Sequence, residues 1–359
     1  MPSVSGPRVR AQPRIERFES FEAAREEWSV LAGRSRNVFC TWEWASTWWR
    51  EFGAGRPLHL LGVRDSEDSR LRAILPLYAF TGRPLRILRL IGHGVADELG
   101  PVCAPEDRQM AARALRDAAT RLRAELLLAE RLPADHDWNS ELGGEVLKHE
   151  ASPVLDLDAT SWEQLTEGWS ANTRQQLRRK ERKLAREHKV HFRLVEAPEV
   201  LPPHLETLFG LHAARWGAAG NSFVGAHTAF HHEFAHAASE RGWLRLWLLE
   251  VDDHAVAAML IFRFGDVDCY YQSGRDPDWD KASVGTVLMC RVMRSALEDG
   301  MHEYRMLRGA EPYKYRFATR DPGVESRVVA CRPLGKAALA AHRVLPDALV
   351  SPLRQWVNR

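Results

Sequence analysis

The residues best suited to act on an activated carbonyl lie between Val267 and Phe317. Ser283-Val284-Gly285-Thr286 is a small-residue turn between an alternating segment (Val267, Cys269, Tyr271 against Asp268, Tyr270, Gln272) and an amphipathic one. At a strand-to-helix junction the first-turn N–H groups have no intrahelical acceptor, and small side chains let a phosphate or carbonyl oxygen approach the backbone. The next strand, expected over Glu303 to Leu307, leads into Arg308-Gly309-Ala310-Glu311-Pro312-Tyr313-Lys314-Tyr315-Arg316-Phe317, which sets a Tyr-Lys pair beside that turn. Such a set can hold a donor, stabilise an oxyanion and pass a proton. Ser283, Val284, Gly285 and Thr286, with Tyr271 on the strand, are then the donor-binding residues. Lys314 is expected near the developing negative charge, with Tyr313 as proton donor to the leaving group.

The elements that must position these groups repeat along the chain. In the second half the pattern predicts a strand over Val190 to Val195, helices over Pro203 to Trp216 and Ala226 to Arg241, and strands over Leu244 to Glu250 and Ala255 to Phe264, followed by the strand, helix and strand of the site. The first half repeats the order with strands at Ile15 to Phe18, Leu58 to Val63, Leu71 to Phe80, Ile87 to Ile91 and Glu125 to Leu132. Its helices are expected at Phe21 to Ala32, Trp42 to Phe52 and Glu106 to Arg123. That half has no Ser-x-Gly turn: Gly100-Pro101-Val102-Cys103 precedes its long helix, and proline offers no N–H. The polar stretch Pro133 to Glu150, with Gly143-Gly144, reads as the boundary. The division is 12–150 for acceptor binding or scaffold, 151–335 for donor binding and catalysis, and 336–359 as a helical tail.

The Ser-x-Gly turn and the Gly-x-x-x-Tyr-Lys-x-x-Phe ending resemble the CelD/BcsL-type acyltransferases of the GNAT superfamily, found beside bacterial polysaccharide genes. More distantly, Tyr313 to Phe317 is similar to the Phe-Lys-x-x-Phe segment of Fem-type transferases, which use aminoacyl-tRNA. Phe39-Cys40-Thr41-Trp42-Glu43-Trp44, Trp48-Trp49, Ala96-Asp97 and Arg215-Trp216 extend the likeness over most of residues 36 to 320. The resemblance implies an α/β fold of two tandem GNAT-like (acyl-CoA N-acyltransferase) domains with mixed central sheets. It implies transfer from acyl-CoA, as co-substrate, to an amine or hydroxyl of a small-molecule or saccharide acceptor. It adds Asp97, beside Glu311, as candidate base, and Trp44, Trp48, Arg215, Trp216 and Arg308 as acceptor contacts. The GNAT pyrophosphate loop, Arg/Gln-x-x-Gly-x-Gly/Ala, is altered to Asp280-Lys281-Ala282-Ser283-Val284-Gly285. That departure favours, as the alternative, a Fem-like enzyme with aminoacyl-tRNA as partner. A third reading is a non-catalytic accessory protein that binds carbohydrate through its Trp-rich half.

The rest of the chain narrows these readings. Lys plus Arg (50) nearly balance Asp plus Glu (48), so global charge requires no nucleic-acid partner. The basic charge is local: Asn172 to Lys189 carries eight Lys and Arg against two Glu, and Arg174 and Arg178 on it are candidate donor-phosphate contacts. The five cysteines are widely spaced and read as buried thiols, and no run is apolar enough to span a membrane; a cytoplasmic monomer or homodimer is expected. His232-Glu233-Phe234-Ala235-His236 has the spacing of a zinc helix, but Ser239 and Gly242 stand where the longer zincin form needs Gly and His. No metal is expected.

Overall fold

Alternating apolar residues make the first-half strands, and Ser20, Thr41 and other N-cap oxygens start the helices between them. The computed structural model describes residues 13–81 and 84–344. The first half comprises β1 (Arg14–Arg17), α1 (Phe21–Ser35), α2 (Trp42–Phe52), β2 (Leu58–Arg64), β3 (Leu71–Ala79), β4 (Ile87–Leu90), β5 (Val102–Cys103), α3 (Arg108–Arg121), β6 (Leu126–Pro133), α4 (Asn139–Leu142) and β7 (Glu145–Glu150). The second comprises β8 (Val154–Asp156), α5 (Trp162–Glu167), α6 (Ala171–Glu187), β9 (Val190–Val195), α7 (Leu201–Gly220), α8 (Ala226–Glu240), β10 (Leu244–Val251), β11 (His254–Phe264), β12 (Val267–Arg275), α9 (Val284–Glu298), β13 (Glu303–Arg305), β14 (Val324–Ala330) and α10 (Pro333–Val344).

Two mixed sheets result. One has the order β1-β2-β3-β4-β6-β14-β7 with β5 added to β3, the other β8-β13-β12-β11-β10-β9. Each contains one parallel pair, β4 with β6 and β12 with β13. The stretch read as a boundary instead holds β7, an edge strand too polar to signal itself. Gly144 lies against it at φ +80, where a Cβ would strike the Val328 backbone, so the glycine pair serves a close approach and not a linker. β14 falls within 151–335, yet it hydrogen-bonds to β6 and β7 in the first sheet. Short strands whose partners are far away in sequence leave little local pattern to read. α10 covers the start of the expected tail helix and packs Leu339 against Ile87, Leu126 and Val328; residues 345–359 lie outside the described residues.

One apolar core crosses from half to half. Trp44 is fully buried and meets Phe39, Phe230 and Phe234 edge-on at centroid distances of 4.5–4.9 Å. Trp48 is buried too, and its Nε1 donates to the His93 carbonyl at 2.8 Å. Both tryptophans therefore belong to the core rather than to an acceptor cleft, which also removes the sugar platform from the accessory-protein reading. A buried ring of about 200 Å² contributes about 5 kcal/mol at ~25 cal/mol per Å². Exposed ion pairs contribute about 1 kcal/mol or less, so this cluster joins the halves.

Tyr271 is a second correction. Its hydroxyl donates to the Val95 carbonyl at 2.9 Å and lies 3.0 Å from His231 Nε2, deep between the halves and away from any donor. His231 is packed among Phe223, Phe230 and Tyr271, and burial pulls its imidazole down to about 4. An unfolded chain binds that proton near pH 6.5, so stability is lost as pH falls from about 6.5 to 4 and the loss levels off below. His59, also held near 4, adds to it. Urea midpoints measured across this window should fall with pH, and His231→Gln should flatten the slope by up to one proton.

Candidate active site between two parting strands

β12 and β13 run parallel only from Val267–Glu303 to Cys269–Arg305. Beyond that, β12 continues to Arg275 while the other chain turns away through Leu307, which has a left-handed φ of 55. The parting opens a cavity of about 280 Å³ whose walls include Arg215, Tyr270, Ser273, Arg275, Thr286 and Tyr313. A β-bulge sets that wall: Leu260 pairs with Gln272 but Ile261 pairs with Tyr270, leaving Tyr271 as the extra residue. Alternation breaks there, so Tyr270 and Ser273 share the cleft face while Tyr271 turns into the core. Strict alternation from Val267 already sets Tyr271 with Val267 and Cys269 in the core and Tyr270 opposite; what the bulge changes is Ser273, which it moves to the side of Tyr270.

α7 lies against β12 at Gly274, where a Cβ would overlap the backbone of Leu211 and His212. This close approach delivers Arg215, whose Nη1 donates to Ser273 Oγ at 2.9 Å and whose guanidinium stacks 4.4 Å from the Trp216 ring. Trp216 is 45 % exposed, and Gly217 then breaks the helix at φ 67, ψ −179. Opposite, Ser283 caps α9 in the left-handed region, and its carbonyl accepts from Thr286 and Val287. Ser283, Gly285 and Thr286 line the cleft, whereas Val284 is fully buried beneath it. Arg275 lies against Gly285 and ion-pairs with Asp280.

Lys314 differs most from expectation. It is 3 % exposed, and its Nζ donates to the carbonyls of Leu307 (3.2 Å) and Arg308 (2.6 Å) while pairing with Glu311 at 3.0 Å. Three donors with three partners leave none for a substrate. Lys314 is the pin of the turn that parts the strands, and its neighbour Tyr313 is the residue that reaches the cleft. Glu311 reaches back over Gly309 toward Lys314. Asp97 and Arg308 meet at 3.4 Å, with Glu150 on the far side of Arg308 at 3.5 Å. Burial pushes the Asp97 carboxyl up although 19 % of its side chain reaches solvent, and Arg308 opposes the shift. Neither residue lines the cleft.

The basic helix divides its charges. Arg174 donates to the carbonyls of Glu167 (3.0 Å) and Trp169 (2.6 Å), satisfying the end of α5, so it is structural. Arg178 borders a separate crevice with Trp162, Glu181 and Arg294. A second hollow beside the active cleft, with Thr173, Lys180, Arg316 and Phe317, shares Ser283 and Thr286 with it. In the zinc-like segment, His232 faces Glu206 (2.9 Å), His236 faces Glu240 (3.8 Å) and Glu233 faces Arg50 (2.7 Å). Among the described residues no three His, Cys, Asp or Glu side chains converge on one point. Sequence reading missed Tyr270, Ser273 and Arg275; the adjacent Tyr270-Tyr271 pair was the available signal, and which face of β12 meets the cleft is set by its packing, with Val267, Cys269 and Tyr271 in the core.

Residues 171–315 match the model of the acetyltransferase (GNAT) domain family. No curated protein matches the chain. Among solved structures, FemX superposes with a TM-score of 0.62 at 12% identity, covering 90% of this chain and 99% of its own. The C-terminal domain of a putative lysylphosphatidylglycerol synthetase from Agrobacterium fabrum gives 0.58 at 16%, covering 92% and 97%. A tandem GNAT protein from the clavulanic acid biosynthesis pathway gives 0.50 at 13%, covering 89% and 99%. The chain thus has a mixed α/β fold of two sheets with GNAT-like neighbours, a tandem GNAT protein among them.

Lys314→Met should lower stability by about 3 kcal/mol, because it leaves two carbonyls and a carboxylate without their cation. Thermal melting reads this directly; an unshifted melt accompanied by lost turnover would return Lys314 to the catalytic centre.

Proposed function

We propose that the protein transfers an acyl group from an activated donor to an amine or hydroxyl acceptor in the cleft between β12 and β13. The observation that carries this reading is the parting of a parallel strand pair beside the start of α9, with Arg215 and Tyr313 on the same cavity wall. The start of α9 at Ser283, Gly285 and Thr286 and the Arg275 side chain would meet the phosphates of an acyl-CoA donor. The acceptor would enter past Trp216 and Arg215, which suit a small molecule or saccharide. Its nitrogen or oxygen attacks the carbonyl, the bond to the leaving sulfur breaks, and Tyr313 gives that sulfur its proton. Glu311, two residues before Tyr313, is the candidate that would take the acceptor's proton, since Asp97 is paired with Arg308 outside the cleft.

Titration calorimetry with a chain-length series of acyl-CoA thioesters is the first test, and binding should raise the melting temperature. Tyr313→Phe should lower kcat roughly 10²-fold with KM little changed. Near-normal turnover in that variant would place the chemistry elsewhere.

A specific observation supports an aminoacyl-tRNA donor as the second reading. Arg178, Arg179 and Arg182 stand exposed on α6 with no ion pair among the described residues, and Lys180 on the same helix borders the hollow that opens onto the α9 turn. If charged tRNA binds, replacing the three arginines by Ala should weaken it and reduce the salt dependence by about one counterion-release unit per lost contact. Tight thioester binding that is indifferent to these arginines would leave acyl-CoA as the donor.

A further inference from the structure

Two arginines line the cleft, and only one of them is neutralised. Arg275 ion-pairs with Asp280, the one carboxylate among the described residues that line the cavity, so that pair carries no net charge. Arg215 has no ion pair among the described residues. Its contacts are the bond from Nη1 to Ser273 Oγ at 2.9 Å and the Trp216 ring, 4.4 Å from the guanidinium. The first holds one edge of the group and the second covers one face, which together fix its plane. The helix beneath is fixed as well, because α7 meets β12 at Gly274 so closely that a Cβ there would overlap the Leu211 and His212 backbone. Only one of the guanidinium's N–H donors is used by the protein. A half-buried cation held in a set orientation has lost part of its hydration without gaining a counter-charge. An anion that enters the cleft restores the balance.

Shape and charge select the anion. A planar guanidinium matches a planar carboxylate through two parallel N–H···O bonds. A phosphate monoester brings a charge of about −1.5 to −2 and calls for a second cation, but the cavity's other arginine is already paired, beside the start of α9. The remaining walls include Met259, Tyr270 and Met289, and the volume of about 280 Å³ suits a small ligand. We propose that the acceptor carries a carboxylate, held by Arg215, so that its amine or hydroxyl lies beside Tyr313 and the donor carbonyl. The substrate class is then a small amino or hydroxy acid rather than a neutral sugar, which would leave the guanidinium uncompensated. The carboxylate takes no part in the bond changes and serves as the anchor, with Ser273 and Trp216 as positioning residues for the guanidinium. This assignment rests on the acyl-transfer reading of the cleft.

Phenylglyoxal condenses with uncovered guanidinium groups, so its rate of attachment to Arg215, read by peptide mass spectrometry on the full chain, tests this directly. The probes, at one ionic strength, are N-acetylglycine, its neutral twin N-acetylglycinamide, and inorganic phosphate. At ten times its Kd a ligand leaves its site free about a tenth of the time, so saturating N-acetylglycine should slow labelling about tenfold. N-acetylglycinamide should leave the rate unchanged. No slowing by N-acetylglycine, or equal slowing by the amide, overturns the proposal, and stronger slowing by phosphate makes this a phosphate site instead. Slowing by succinyl-CoA but not by butyryl-CoA, with N-acetylglycine inert, would put the carboxylate on the acyl group and overturn its assignment to the acceptor. N-acetylglycine should also raise the melting temperature of the parent and leave that of Arg215→Met unmoved; an equal rise in both also overturns the proposal. Should Arg215→Met not fold, the labelling decides alone. Labelling needs neither donor nor turnover. Thioesters that fail to bind would remove the acyl-CoA reading and leave the carboxylate site standing, while an active transferase with an unprotected Arg215 would remove the carboxylate alone.

Discussion

Everything in the second half of this protein is arranged around two parallel strands that stop pairing. β12 and β13 share three residue pairs and then part, because the chain after Arg305 takes a left-handed step at Leu307 and is tied back by Lys314. Parallel strands buried between helix layers ordinarily satisfy one another's backbone along their whole length. Here the continuing edge of β12 faces a cavity instead, and the groups that line it are polar side chains that satisfy each other. The cost of opening the sheet is met by the buried ammonium of Lys314, which neutralises the carbonyls of the diverging turn. A lysine spent in this way is not free for a substrate, and of the Tyr-Lys pair it is the Tyr313 side that lines the cavity.

The two halves act as one body at the site. The aromatic cluster around Trp44 continues from α2 through α8 to β12, and the Tyr271 hydroxyl reaches the Val95 carbonyl in the loop after β4. A polar seam runs beside it. Arg305 on β13 pairs with Glu98 of the first half at 2.9 Å and with Glu303 on its own strand at 2.8 Å. Such covered ion pairs contribute little net stability, because desolvation offsets their attraction, but a misplaced register would leave a charge unpaired, which penalises the wrong docking strongly. The return of β14 to the first sheet, beside β6 and β7, makes the same point with backbone bonds. The halves thereby pack along one another, with Asp97 and Arg308 paired at the junction.

The small cleft residues have physical reasons that differ from one another. Gly274 is required by the approach of α7, which sets the position of Arg215, whereas a Cβ at Gly285 would meet only the flexible Arg275 side chain, at 3.3 Å. Ser283 adopts a left-handed conformation, uncommon for a residue with a Cβ, and its carbonyl starts the helix. A turn of this kind keeps the first N–H groups of α9 directed outward, while Asp280 and Arg275 neutralise one another across its mouth.

Local chemistry was legible in the chain without any structure. Period-2 and period-3.6 patterns gave α2 and β9 to the residue and most other long elements to within a few positions, since those patterns report which face each element buries. The small-residue turn and the Tyr-Lys segment stood out likewise, and Ser283, Gly285, Thr286 and Tyr313 line one cavity. What the pattern could not carry were the nonlocal facts. β7, β8 and β14 are short or polar strands whose partners lie far away in sequence, so their pairing depends on loop closure and docking. The role of Lys314 depends on three oxygens brought to it by a turn. Trp44 and Trp48 look like a platform in sequence and are core because Phe230 and Phe234 of α8 cover the first and Tyr78 of β3 packs on the second. A single extra residue in β12 brings Ser273 to the face of Tyr270, and a bulge of that kind belongs to the pairing of two strands, which neither strand's own sequence records.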